Sequence, residues 1–246
     1  AFFTTQYKLE TSNDPAAGGS IEVNPAGPWY DSGTSVSVRA IPNSGYQFVG
    51  WDGALSGSTN PASVTMDGPK SVVARYGEET NITIDTDPQG MTIEVDGTQY
   101  TAPQTFTWLT NTKHTIGTPQ YQSEQNGSRY RWESWSDGGA ITHEITASKT
   151  TTRYTASFVQ QYYLQTSADP ADGGSVTPSS DWYDAGTTVE VEATANENYR
   201  FTGWSGDLSG DTNPDQVNVD APRSVTAHFT RVRSITIATD PAGRDI

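Results

Sequence analysis

Residues 45–61 read GYQFVGWDGALSGSTNP, and residues 198–214 read NYRFTGWSGDLSGDTNP. The two stretches share Tyr-x-Phe-x-Gly-Trp, Leu-Ser-Gly and Thr-Asn-Pro in the same order and spacing. Repetition over so long a distance marks a tandem array rather than a single catalytic domain. Working outward, residues 25–76 align with 178–229 at a constant offset of 153, and about half of the positions match without a gap. Trp29-Tyr30-Asp31 falls on Trp182-Tyr183-Asp184, and Ala74 and Tyr76 fall on Ala227 and Phe229. These copies are called module A.

A different segment, module B, lies between them. Its opening, ITIDTDPQGMTI at 82–93, returns as ITIATDPAGRDI at 235–246, and AFFTTQYKL at 1–9 matches ASFVQQYYL at 156–164. The expected order is therefore the end of a B module at 1–5, A1 at 6–79, B1 at 80–160, A2 at 161–232 and the start of a further B module at 233–246. A and B are distant relatives. Each opens on a strand followed by Asp-Pro and glycine, at Asp14-Pro15, Asp87-Pro88, Asp169-Pro170 and Asp240-Pro241.

Composition narrows the class. Only 17% of the 246 residues are charged, and Thr, Ser, Gly, Asn and Pro take their place, which favours short strands joined by turns. The net charge of −15 repels phosphate backbones and anionic headgroups, so nucleic acid is not an expected partner. With no cysteine, disulfides, zinc–thiolate sites and cysteine nucleophiles are excluded. No apolar run approaches the roughly 20 residues of a membrane helix, so no membrane insertion is expected.

TSVSVRA at 34–40 and TTVEVEA at 187–193 alternate strictly, placing Val36 and Val38, or Val189 and Val191, on one face of a strand. Tyr46 and Phe48 also share a face, after which Gly50 permits a bulge that re-aims Trp51. Tyr199, Phe201 and Trp204 repeat that plan, and Tyr130, Trp132 and Trp135 follow it in module B. A module of this size without staples needs large aromatics for its core, so these nine residues are assigned to packing. In the Asp-Pro turns, proline sets φ and glycine is expected to supply a positive φ. The short joint GEET at 77–80 implies neighbours held at limited angles, or sharing a strand.

Candidate sites are few. His114, His143 and His228 form no catalytic set in sequence, and His228 is replaced by Arg75 in the sister module. Asp207, Asp211 and Asp215 have calcium-like spacing, but their counterparts are Ala54, Ser58 and Ala62, so calcium is a candidate in one copy only and no other cofactor is expected. Trp29 and Tyr30, like Trp182 and Tyr183, are adjacent aromatics on a turn. Two neighbouring side chains of an extended backbone cannot both point inward, so Trp29, Tyr30, Trp182 and Tyr183 are the candidate glycan-stacking residues, with turn aromatics folded back over the end of the core as the alternative.

The module A sequences, GYQFVGWDG leading to VTMDGPKSVVARY and NYRFTGWSG leading to VNVDAPRSVTAHF, resemble the divergent internalin-type B-repeats of bacterial surface proteins. Module B, opening ITIDTDPQGMTIEVDG and continuing through TAPQTFTW to KHTI, looks like a PEGA-type β module with an internalin-repeat ending. The resemblance implies an all-β, elongated tandem array of small β-sandwich or β-grasp-like modules, extracellular or at the cell surface, with no catalytic residues to carry over. The expected role is a stalk, spacer or fibre of a large exported protein. Its partners would be neighbouring repeats, and homotypic or filament contacts. A multivalent glycan-binding array is the alternative.

Overall fold

The alternating stretches become strands, and their valines are sealed: Val36, Val38, Val189 and Val191 are all buried. The structure, a computed structural model, describes residues 3–233 and 235. The expected start of a further B module, with Asp240-Pro241, lies outside the described residues, as do Ala1 and Phe2 of the expected module end. The chain divides into two compact units. One runs up to Gly117 and takes in Trp135–Thr155; the other comprises Thr118–Ser134 and the chain from Ala156 onward.

In the first unit, module A1 is built from β1 (Gln6–Asp14), β2 (Gly19–Asn24), β3 (Trp29–Asp31), β4 (Ser35–Pro42), β5 (Tyr46–Gly53), β6 (Ala62–Thr65) and β7 (Lys70–Asp87). Strands β2, β4 and β6 form an antiparallel sheet. The second sheet is mixed, because β1 pairs antiparallel with β3 through Gln6–Lys8 and then parallel with β7 through Leu9–Asp14, while β5 pairs antiparallel with β7. Both sheets feed one core that includes Leu9, Val36, Val38, Trp51, Val64, Met66, Val72 and Tyr76, which makes the module a small sandwich.

Trp51 points into this core because the β5/β7 register slips between Phe48 and Gly50, and Gly50 has φ +157°. Its indole is 5% exposed and donates from Nε1 to the Thr59 carbonyl at 2.8 Å. Burying an indole of this size contributes on the order of 5 kcal/mol, so one residue carries a large part of a thin core. Next in sequence, the Asn60 amide bridges both backbone groups of Ala40, accepting from its N–H at 2.9 Å and donating to its carbonyl at 2.8 Å. The Thr-Asn-Pro motif is thus a clasp between the loop, the tryptophan and β4.

Strand β7 does not stop at the module boundary. Its 18 residues cover the whole of the GEET joint. β5 pairs as far as Glu78, and the next strand but two, β10 (Gln104–Leu109), takes over at Glu79. At that point Glu79 N–H donates to Gly45 O and Glu78 O accepts from Thr110 N–H, both at 2.8 Å, so A1 and B grip consecutive residues. The other strands of B are β8 (Thr92–Val95), β9 (Thr98–Thr101), β10 (Gln104–Leu109), β11 (Lys113–Gly117), β12 (Tyr121–Gln125), β13 (Ser128–Trp135), β14 (Thr142–Thr146) and β15 (Arg153–Asp169). Strands β14, β11, β8 and β9 make an antiparallel sheet, with Ile93, Val95, Ile116 and Ile145 buried. Trp135 is 2% exposed and repeats the Trp51 bond by donating from Nε1 to Ile141 O at 3.1 Å.

The second unit holds A2 together with the β12–β13 hairpin, which by sequence belongs to B. A2 adds β16 (Gly174–Thr177), β17 (Asp181–Asp184), β18 (Thr187–Ala195), β19 (Tyr199–Gly206), β20 (Asp215–Val219) and β21 (Arg223–Arg231). It repeats A1 in detail: β15 pairs antiparallel with β17 and parallel with β21, and β16, β18 and β20 form the facing sheet. Trp204 donates to Thr212 O at 2.8 Å, and Asn213 bridges Ala193 at 2.8 Å on both sides. Tyr46, Phe48, Tyr199 and Phe201 are partly buried against their cores, and Tyr130 and Trp132 are half-buried.

The glycine expectation needs correcting in module A. Gly90 of module B does have φ +89°, but Gly18 and Gly173 have no positive φ. They are glycine because a Cβ would come within 2.6 Å of Cβ of Tyr76 and 2.7 Å of Cβ of Phe229. Each closing aromatic of the module lies directly on the first turn.

Candidate functional site

The turn aromatics divide as the extended backbone demands, but differently in the two copies. In A1, Tyr30 is 5% exposed, and its hydroxyl shares its one hydrogen between Pro25 O at 2.8 Å and Gly27 O at 2.7 Å. Burial raises its pKa. Tyr30 is therefore a core lid rather than a glycan platform, while Trp29 stands 57% exposed. In A2, both Trp182 and Tyr183 are half-buried.

Trp182 is covered by the β12–β13 hairpin and, within A2, by the Tyr163 ring 5.3 Å away. The Arg129 guanidinium lies 4.2 Å from the Trp182 ring centre and 3.9 Å from that of Tyr121, and its Nε donates to Gln161 Oε1 at 2.9 Å. Two residues on, Arg131 reaches Asp184 at 3.0 Å, and Gln161 donates to the same carboxylate at 2.8 Å. The Asp184 pKa is pushed up by burial but pulled down further by Gln161 and Arg131, and ends below the ordinary value. At the hairpin's tip Gly127 O accepts from Tyr163 N–H at 2.9 Å, and Gly127 packs so closely on Pro222 that a Cβ would lie 3.1 Å away. An aromatic, an amide, a carboxylate and a proline thus receive one arginine-bearing hairpin. Sequence reading missed this cluster because Arg129 and Arg131 belong to the other module type.

The proposed calcium residues do not converge. Asp207 is occupied by Arg223 at 2.8 Å and Ser224 N–H at 2.7 Å, and among the described residues no group of three acidic, histidine or cysteine side chains could hold a metal ion.

The histidines are engaged locally. His114 stacks 3.7 Å from Trp108 and bonds Asp96 at 2.7 Å; His143 bonds Asp137 at 2.9 Å and Ala140 O at 2.8 Å. His228 makes a Ser–His–Asp series, with Nε2 2.7 Å from Ser205 Oγ and Nδ1 3.2 Å from Asp169. Ser205 is nevertheless held in the ladder near the end of β19, and two nearby N–H groups that an oxyanion would need are spent, Trp204 on Gly210 O and Asp207 on Ser224 O. In A1 the same cross-strand position is filled by the Asp52–Arg75 ion pair at 2.8 Å. The position ties β19 to β21 whatever the chemistry.

Two copies of one two-sheet fold, joined to a further all-β segment, define a tandem β-repeat protein. The chain belongs to the divergent InlB B-repeat domain family, which matches residues 9–80 and 164–233, more than half of its length. Residues 81–163 lie between the two matches. Domains of this type are typical of bacterial surface proteins, and the matched domains are non-catalytic. No curated protein matches the chain. Among the described residues, no helix is long and apolar enough to cross a membrane.

Proposed function

We propose that this chain is a non-catalytic structural segment, a stalk, spacer or fibre, of an exported bacterial surface protein. The observation that carries the reading is β7, which closes A1 and opens B without a linker, gripped at Glu78 and Glu79 by both modules. A strand shared in this way resists bending and transmits load through its ladder, whereas a flexible connector would do neither.

Two measurements test it. A protease that cuts after glutamate should leave Glu78 and Glu79 intact while the fold lasts, and early cleavage there would remove the shared-strand argument. Solution scattering should give a rod-like profile, and a monodisperse compact globule would overturn the stalk reading. The glycan-array alternative had four aromatic platforms, of which Trp29 alone is largely exposed. Specific depletion of the chain by an insoluble polysaccharide, abolished by Trp29→Ala, would nonetheless restore it.

A further inference from the structure

The aromatic, amide, carboxylate and proline that receive the arginine hairpin on A2 each have a counterpart on A1. Gln6 and Asp31 repeat Gln161 and Asp184, down to the bond between them at 3.0 Å and the strand register that faces them. Trp29 repeats Trp182, and Pro69 repeats Pro222. Pro69 lines a groove of about 260 Å³ with Lys8, Glu10, Lys70 and Ser71, at the place where the hairpin tip lies on A2. One difference is local: Lys8 stands where Tyr163 does, with its ammonium tied to Glu10 at 2.8 Å. Among the described residues no guanidinium or ring lies against Trp29, and Trp29 and Asp31 are exposed.

We infer that the face formed by Trp29, Gln6, Asp31 and Pro69 is a docking socket for the arginine-bearing hairpin of a B-type module placed directly ahead of A1. The occupant follows from the filled copy. There the hairpin comes from the module preceding A2, and it brings two guanidinium groups, one to stack on an indole and one to meet a carboxylate. Both are interactions for which the planar guanidinium is better suited than an ammonium. An exposed tryptophan ringed by polar groups is an interaction surface rather than a requirement of folding. The inference is independent of whether the array serves as a stalk.

The test uses 5-fluorotryptophan in the full chain, with the resonances of Trp29 and Trp182 assigned by Trp29→Phe and Trp182→Phe, and exposure read as broadening by a soluble paramagnet. In the chain as it stands, Trp29 should broaden and Trp182 should be protected. Arg129→Ala with Arg131→Ala should make Trp182 clearly more accessible, short of Trp29 by the cover the Tyr163 ring still gives, while Trp204 stays buried. Unchanged protection of Trp182 would overturn guanidinium recognition.

In a chain carrying a second copy of residues 80–155 directly ahead of residue 1, Trp29 should become protected. Alanine at both arginines of the added hairpin should expose it again. If Trp29 stays accessible while the added copy of Trp135 is buried, the socket assignment is overturned. Protection that instead grows with concentration of the unextended chain would overturn the in-line order and give the socket to another molecule.

Discussion

Replacing Asn213 by alanine should destabilise the second unit by about 2–4 kcal/mol, and Asn60→Ala should do the same to the first. The Asn213 amide makes two bonds to the backbone of Ala193, each 2.8 Å long, and the loop it closes holds the Thr212 carbonyl that accepts the Trp204 indole N–H. Each bond is worth about 1 kcal/mol net, and a backbone group left partly buried without a partner costs about 1–3 kcal/mol. Two such groups, the Ala193 N–H and carbonyl, give about 2–6 kcal/mol, and because water can reach part of the bridge the loss falls in the lower half, about 2–4 kcal/mol. Urea unfolding followed by tryptophan emission reads the loss. With a slope of about 2 kcal/mol per molar, the midpoint should fall by about 1–2 M. The repeat supplies the control, because the Asn60 bridge has nearly the same geometry, at 2.9 and 2.8 Å, and should be worth the same. Midpoint shifts below about 0.3 M in both variants would refute the clasp, since that is less than one ordinary hydrogen bond.

Three further outcomes follow from single contacts. Gly173→Ala and Gly18→Ala should each cost about 1–3 kcal/mol in the same urea assay, because the new methyl meets Phe229 or Tyr76, whereas Gly68→Ala, which has open space around it, should change stability by less than about 0.5 kcal/mol. Trp135→Phe should cost about 1–3 kcal/mol through loss of its bond to Ile141. Trp132→Phe should be close to neutral in thermal or urea unfolding, since the Trp132 Nε1 is buried with no acceptor among the described residues and its removal relieves a penalty. The hairpin contact should weaken in acid: the Asp184 pKa is lowered in the fold, so its contribution is complete above the ordinary carboxylate range and is lost as pH falls below about 4. Paramagnetic broadening of the Trp182 resonance should increase through that interval, and Asp184→Asn should remove the pH step.

The core was legible because its signals are local. Val36 and Val38 are buried as their alternation requires, and Gly50 marks the bulge that turns Trp51 inward. Three features were not legible, each because it depends on a residue distant in sequence. The parallel pairing of β1 with β7 joins residues some 60 positions apart and leaves no periodic trace. Gly18 looked like a turn glycine, while its real constraint is the ring of Tyr76. The turn aromatics are equivalent in A1 and A2 by sequence, Trp29-Tyr30 against Trp182-Tyr183, yet their exposure differs between the copies. The difference between an exposed Trp29 and a half-buried Trp182 is made by Arg129, from a different module type, and by the Tyr163 ring, which stands 5.3 Å away where A1 has Lys8. The calcium spacing at Asp207 failed for a related reason, since Arg223 and Ser224 claim that carboxylate first.

Comparing the copies also separates what the fold needs from what a partner needs. At the cross-strand position, Asp52 and Arg75 have become Ser205 and His228, yet the β5/β7 and β19/β21 registers are the same, so the sheet tolerates any pair that can bond across it. Positions kept in both copies and buried, such as Trp51 and Trp204, are explained by packing. Trp29 is kept and exposed, and an indole left in water gains nothing from burial and adds to the apolar surface open to aggregation. Folding alone gives no reason for tryptophan at that place, nor for Gln6 and Asp31 to hold each other beside it in the arrangement that meets arginine in A2. Retention of a costly exposed group in the geometry of an occupied contact is the physical signature of a surface built to be covered.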